Sequence, residues 1–289
     1  MAAALRRTRT GLAPLPGPLV VVVVTAAAGG GLLGQLLRRQ AAVARRAIGK
    51  PHGEDAHVAD RTYKKKYGRT IDLLLVGDSI AAGLGAESPK KTLGAQLASR
   101  LAKATGRAVR LHTVAVVGSE SSMLAGQLAA RPPGYDAHLA DIVVGGNDVT
   151  HRVKVADAVR HLQEAVRCLR DDGTEVVVGT CPDLGALRPV PQPLRGLGSR
   201  ASRLLADAQR AAVMAAGGHA VDLATVVGPF FVAQPDEMFS LDKFHPSGAG
   251  YRRTAKALLP SVLAALGYRD EVPFGHHRPD AVNAVTPDP

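Results

Sequence analysis

Three side chains in this sequence have the types and surroundings that acyl transfer needs. Ser79 follows an apolar run that stops abruptly at Gly77-Asp78-Ser79, inside the stretch IDLLLVGDSIAAGLGA at residues 71–86. Asp242 and His245 stand three residues apart near the other end, in Asp242-Lys243-Phe244-His245. A serine hydroxyl attacks an ester only when a base takes its proton. An imidazole can do so near neutral pH, and a carboxylate on its other nitrogen fixes the tautomer. The negative oxygen that forms needs donors. The backbone N–H groups of Ser79 and Gly118 and the side-chain amide of Asn147 can supply three, each worth typically about 3 kcal/mol in the transition state. Taken alone, the turn has a second reading, with Ser79 as a helix N-cap.

The elements around these residues have to bring them together. An apolar strand over 71–76 runs into the serine turn. The periodicity then predicts a helix at 93–105, a strand at 108–117, a helix at 122–130 and a strand at 140–144. A helix at 153–169, a strand at 174–180, a Pro-rich loop at 182–197 and a helix at 200–216 follow. A short strand at 219–223 and a last helix at 247–266, with Pro260 inside it, complete the series. Strands alternating with helices indicate a parallel sheet covered on both faces. Ser79, Gly118 and the block Gly145-Gly146-Asn147-Asp148 then fall at strand-to-helix transitions, and Asp242 to His245 fall at a helix entrance. In open α/β sheets that carboxyl edge is where ligands bind.

These four blocks, in this order, resemble the SGNH (GDSL-type) serine esterase and lipase family. The first is Gly77-Asp78-Ser79, the second Gly118, the third Gly145-Gly146-Asn147-Asp148 and the last Asp242-x-x-His245. The resemblance covers residues 71–266. It implies an α/β, three-layer, flavodoxin-like fold with a five-stranded parallel sheet and helices on both faces. It also implies a serine ester hydrolase of lipase, lysophospholipase or thioesterase type that works without a cofactor. Ser79 would be the nucleophile, His245 the base and Asp242 its orienter, with Ser79, Gly118 and Asn147 forming the oxyanion hole. Ile80 stands where the family name has Leu, a change that touches packing more than chemistry. With all four blocks present, capping becomes a secondary role for Ser79. There is no G-x-S-x-G, HExxH or P-loop in the chain, which argues against the α/β-hydrolase elbow and other catalytic classes. Two alternatives stay open: an O-acetyl esterase or acyltransferase acting on cell-envelope carbohydrate, and a catalytically silent module that uses the crevice to hold a ligand.

Two segments bear on the substrate. Phe230, Phe231, Phe239 and Phe244, four of the five phenylalanines in the chain, precede His245 closely. The loop at 182–197 carries Leu184, Leu187, Val190, Leu194 and Leu197, and long loops of this kind are often lids or binding loops. Phe231 and Leu187 are the substrate-binding candidates, as walls of a partly apolar acyl pocket.

The net charge of +11 invites a nucleic-acid reading, but its placement does not support one. Residues 1–70 hold 13 Lys and Arg against 3 Asp and Glu; the other 219 residues are nearly balanced, 23 against 22. The hydrolase-like region therefore has no excess of basic charge, and no nucleic-acid partner is expected. The charge accompanies an apolar stretch at residues 19–37, about long enough to span a bilayer, which points to a membrane partner. Residues 1–40 read as a signal-anchor, or as a signal peptide with Ala26-Ala27-Ala28 as the cleavage site, leaving a secreted enzyme. Residues 41–70 read as a basic polar connector and 267–289 as a loose C-terminal tail. Cys168 and Cys181 sit at opposite ends of a predicted strand roughly 20 Å long, too far apart for a disulfide. His276-His277 lacks a second pair of ligands, so no metal site is expected.

Overall fold

The computed structural model describes residues 18–49, 51–53 and 55–279, with the side chains of 18–30 left out of the description. One twisted sheet of seven strands organises them: β1 (Arg61–Tyr63), β2 (Thr70–Gly77), β3 (Ala108–Thr113), β4 (Leu139–Val143), β5 (Glu175–Gly179), β6 (His219–Val221) and β7 (His276–His277). Their order across the sheet is β1-β3-β2-β4-β5-β6-β7. The inner five are parallel, in the doubly wound order that reverses direction beside β2. β1 and β7 add antiparallel pairs at the two edges.

The helices in chain order are α1 (Pro18–Ile48), α2 (Ser79–Ala82), α3 (Leu93–Thr105), α4 (Leu124–Ala129), α5 (Gly146–His151) and α6 (Val155–Asp171). After them come α7 (Leu194–Ala215), α8 (Leu223–Val226), α9 (Gly228–Ala233), α10 (Pro235–Met238) and α11 (Gly248–Ala265). The three layers follow from side-chain alternation. In β2, Ile71, Leu73 and Leu75 face one way and pack with Leu97 and Leu101 of α3 and Leu258 and Val262 of α11. Leu74 and Val76 face the other way, against Leu124 of α4, Leu162 and Val166 of α6 and Val213 of α7. A strand buried on both faces reads as a continuous apolar run rather than an alternating one, which is the pattern of β2.

Several expectations change. The predicted sheet had five strands; the edge pairs raise the number to seven. Residues 41–70 are not a bare connector: α1 runs through to Ile48, and β1 pairs with β3 while Ala59 and Tyr63 enter the core. Residues 267–289 are not uniformly loose either, because β7 pairs with β6 and His276 Nδ1 lies 2.8 Å from the Ser261 hydroxyl on α11. Three-residue and two-residue strands carry too little pattern to be seen in a sequence. Helix α7 begins inside the predicted loop, at Leu194. Among the described residues no helix is long and apolar enough to cross a membrane. The described part of α1 is diluted by Gly31, Gly34 and Gln35 and then by Arg38 and Arg39, so the signal-anchor reading gains no support there. Its first 17 residues lie outside the described ones. Cys168 and Cys181 are both free.

One buried group is out of place in this core. Asp141 sits in the middle of β4, between Leu75 and Val177, fully buried and with no partner for either carboxylate oxygen. Burial pushes its pKa up to about 8. In the unfolded chain the same group titrates near 3.9. Below roughly pH 4 both states hold the proton and the group contributes no pH dependence. As the pH rises toward 8 the unfolded chain has released its proton while the folded one retains it, so stability falls across that window. We expect Asp141→Asn to remove this loss. In a thermal-unfolding series its Tm advantage over wild type should be absent near pH 4 and grow to a plateau above about pH 8; an advantage equal at both ends would contradict the assignment.

Candidate active site

The carboxyl edge of the parallel strands gathers every residue that the four blocks supply. At the end of β2, Gly77 adopts φ +132°, and an added Cβ there would lie 1.9 Å from the Val143 carbonyl oxygen of β4. Only glycine lets the two strands close this tightly. Asp78 follows, its N–H donating to the same Val143 oxygen at 3.0 Å. Its carboxylate caps α2 by accepting the Ile80 N–H at 2.9 Å. The cap is therefore Asp78 and not Ser79, which is the first residue of the helix. Burial pushes the Asp78 carboxyl up to about 7, against the Ile80 N–H and the nearby His245, which both favour its charged form.

The loop between α10 and α11 brings the other two side chains. Asp242 Oδ1 accepts the backbone N–H groups of Phe244 and His245 at 2.9 Å each, folding the loop around the carboxylate. Ser240 N–H donates to the His245 carbonyl at 2.8 Å and closes it. Asp242 Oδ2 then lies 2.6 Å from His245 Nδ1, and His245 Nε2 lies 3.0 Å from Ser79 Oγ. Burial alone would raise the Asp242 pKa. The hydrogen bonds from His245, from the two backbone N–H groups and from the Ser240 hydroxyl outweigh it and hold the carboxyl well below the usual range. An ionised carboxylate only accepts, so His245 Nδ1 carries the ring proton and Nε2 is left to accept from Ser79. Ser79, His245 and Asp242 thus form one continuous row.

The structure places the three oxyanion candidates as follows. The Ser79 N–H lies at the start of α2 and has no acceptor among the described residues. Asn147 stands on α5 and donates through Nδ2 to the Ser119 carbonyl at 2.9 Å, which leaves its second amide hydrogen free of that bond. Gly118 is exposed, with φ +83°, one residue before the Ser119 that Asn147 holds. Asp148, next to Asn147, accepts Ser121 N–H and its hydroxyl at 3.1 and 3.0 Å, tying the second block to the third.

A cavity of ≈ 80 Å³ opens beside Ser79 and His245. Phe231 and Leu187 both line it, with Ile80, Leu184, Leu223, Val227, Phe239 and Phe244. The Phe231 and Phe239 rings meet edge to face, with centroids 4.9 Å apart. Phe230 takes no part and instead packs under the Arg253 guanidinium, 3.8 Å from ring centroid to carbon. Val190, Leu194 and Leu197 of the long loop are also not among the lining residues. Cys181 lies behind the site, and burial pushes its thiol pKa up, which removes it as a nucleophile. Among the described residues no group of three or more His, Cys, Asp or Glu could hold a metal ion.

Sequence reasoning passed over the groups that brace this edge. Gln127 is buried, accepts Gly77 N–H and donates to Gly77 O, each at 2.8 Å, and also reaches the Ser119 hydroxyl at 2.9 Å. Gln209 likewise accepts Cys181 N–H at 2.7 Å and donates to Val144 O at 3.0 Å, joining the ends of β5 and β4. A glutamine inside a helix carries no motif. Gly85 did have a signal, as the second glycine of GLGA. Its φ is +92°, and a Cβ there would come within 2.9 Å of His245 Cβ and Ser240 Oγ.

Comparison with known proteins places this geometry. The model of the GDSL-like lipase/acylhydrolase family matches residues 75–253. A GDSL-like esterase of Mycobacterium tuberculosis is 40% identical over 222 residues, a span of 76% of this chain and 70% of that one. The crystal structure of TesA aligns with a TM-score of 0.55 at 24% identity, over 67% of this chain and 99% of that one. A lipase/acylhydrolase from Enterococcus faecalis aligns at 0.54 and 20% identity, over 70% and 100%. At these identities the two structures speak for the fold alone.

The glycine at 85 yields a prediction. Gly85→Ala should push Ser240 and His245 aside, and an ångström-scale misplacement of a reacting group can lower kcat/KM by roughly a hundredfold. Hydrolysis of p-nitrophenyl butyrate, with circular dichroism to verify the fold, is the measurement. Wild-type kcat/KM would show that the loop yields without harm.

Proposed function

The chain belongs to the GDSL-like lipase/acylhydrolase family and is a carboxylic ester hydrolase, and from that premise we propose that it works through a Ser79 acyl-enzyme. The observation that carries the proposal is the row Ser79 Oγ, His245 Nε2, His245 Nδ1, Asp242 Oδ2, with spacings of 3.0 and 2.6 Å across the two hydrogen bonds. As Ser79 Oγ bonds to the ester carbonyl carbon, its proton passes to His245 Nε2. The imidazolium that results is stabilised by the Asp242 carboxylate. The carbonyl oxygen becomes an oxyanion, met by the Ser79 N–H and by the donors that Asn147 and the Gly118 segment supply. The C–O bond to the alcohol breaks, and the leaving oxygen takes the proton back from Nε2. Water then repeats the sequence on the acyl-serine, releasing the acid and restoring Ser79.

The finer reading is an enzyme of lipase, lysophospholipase or thioesterase type that takes an apolar acyl chain. The lining supports it: Phe231, Leu187 and their neighbours offer hydrocarbon to whatever lies beside Ser79. An acetyl group would leave most of that surface unused, which speaks against the O-acetyl esterase alternative.

Two measurements test these statements. A fluorophosphonate probe should label the folded protein, and Ser79→Ala should abolish both labelling and turnover; folded wild type that resists the probe would overturn the acyl-enzyme and favour a silent binding module. Phe231→Ala and Leu187→Ala should each change the ratio of p-nitrophenyl octanoate to butyrate turnover by roughly tenfold, the scale of one or two methylenes in an apolar pocket. If neither ratio moves, the acyl chain lies elsewhere.

A further inference from the structure

We infer that His52 is a positioning residue for the acyl transfer, extending the catalytic row to His52–Ser240–Asp242–His245–Ser79. His52 Nε2 lies 3.0 Å from Ser240 Oγ, and Ser240 Oγ lies 2.8 Å from Asp242 Oδ1. The direction of these bonds follows from what each group can do. The Asp242 carboxylate only accepts, so the single hydroxyl proton of Ser240 goes to it. Ser240 Oγ can then serve His52 only as an acceptor, and His52 Nε2 carries the hydrogen. His52 thereby fixes the hydroxyl rotor. Without it Ser240 is free to turn its proton away, and Asp242 Oδ1 loses one of the three donors that seat it.

His52 belongs to no family block and comes from outside the α/β core. It occupies the turn at 51–53 that follows α1. That helix is itself docked: Ala44 is buried, and the Gln40 side chain accepts the Leu194 N–H of α7 at 3.1 Å while donating to the Gln192 carbonyl. The segment therefore reaches the back of the triad from a helix seated at the start of α7, just beyond the loop that carries Leu184 and Leu187. The inference rests on the acyl-enzyme reading above, and assigns to the N-terminal segment a part in the chemistry of the same site.

The test uses the full chain with His52→Ala, His52→Gln, Ser240→Ala and the His52→Ala/Ser240→Ala double variant. Turnover of p-nitrophenyl butyrate, the rate of fluorophosphonate labelling and Tm are measured for each. Removing the bond that His52 makes should lower kcat and the labelling rate by roughly three- to tenfold with KM and Tm close to wild type. His52→Gln, which keeps a donor at similar reach, should recover most of the loss. In the Ser240→Ala background the His52 change should add nothing, because the link it acts through is gone. A His52→Ala enzyme with wild-type kcat overturns the inference. So does a loss of equal size with and without Ser240, or one that follows a fall in Tm and resists rescue by Gln. Absence of labelling in wild type would instead defeat the acyl-enzyme reading, so the two failures are distinguishable.

Discussion

The contact between Gly77 and the Val143 carbonyl is the constraint on which the rest of this site depends. It brings the ends of β2 and β4 so close that no side chain fits between them. The backbone must then turn at once, and the turn delivers Asp78 to the helix start and Ser79 to the sheet edge. Once strands end, their backbone groups still need partners, and an orphaned buried donor or acceptor costs about 1–3 kcal/mol. Gln127 and Gln209 answer that need from the helices, each serving two backbone groups. Side chains thus complete a ladder that the strands leave unfinished.

Asp242 plays the corresponding part on the other side of the crevice. Its two oxygens accept four hydrogen bonds, from Ser240, Phe244 N, His245 N and the His245 ring. The same bonds shape the loop and hold the carboxyl ionised, so loop geometry and electrostatics are one device. Asp78 and Asp141 show the contrary case. They are buried with fewer or no partners, and burial holds their protons up to or beyond neutral pH. Among the carboxylates of this protein the environment, and not the residue type, decides which one can orient a histidine.

The pieces outside the five parallel strands are not ornaments on the domain. β1 and β7 cover the two edges of the parallel sheet, where unpaired strands would otherwise invite association. The N-terminal helix docks on α7, and the turn after it touches the support of the triad. The crevice beside Ser79 is likewise assembled from distant segments: β5 leads into Leu184 and Leu187, and the segment after β6 supplies Val227 and Phe231.

How much of this was legible in the sequence can be judged residue by residue. The layered α/β fold, the strand at β2, the helix at α3 and the four motif blocks could be read directly, because strand and helix periods and tight glycine turns are local properties of the chain. Of the two segments that the sequence singled out, each reaches the crevice beside Ser79, where Phe231 and Leu187 line it. The sequence misassigned the cap, since Ser79 and Asp78 are adjacent and only the backbone direction at the turn shows which side chain reaches the Ile80 N–H. It had no means of finding Gln127, Gln209 or His52, whose partners are backbone atoms or residues far along the chain, and Ser240, though only two residues from Asp242, belongs to no motif block. It read residues 267–289 as loose because a two-residue strand has no period, and a partner such as Val221 can be known only from the sheet. What the sequence determined is the set of groups able to do the chemistry. Which of them meet, and which side chains hold them there, was decided by long-range pairing and burial, forces that act only once the chain has folded.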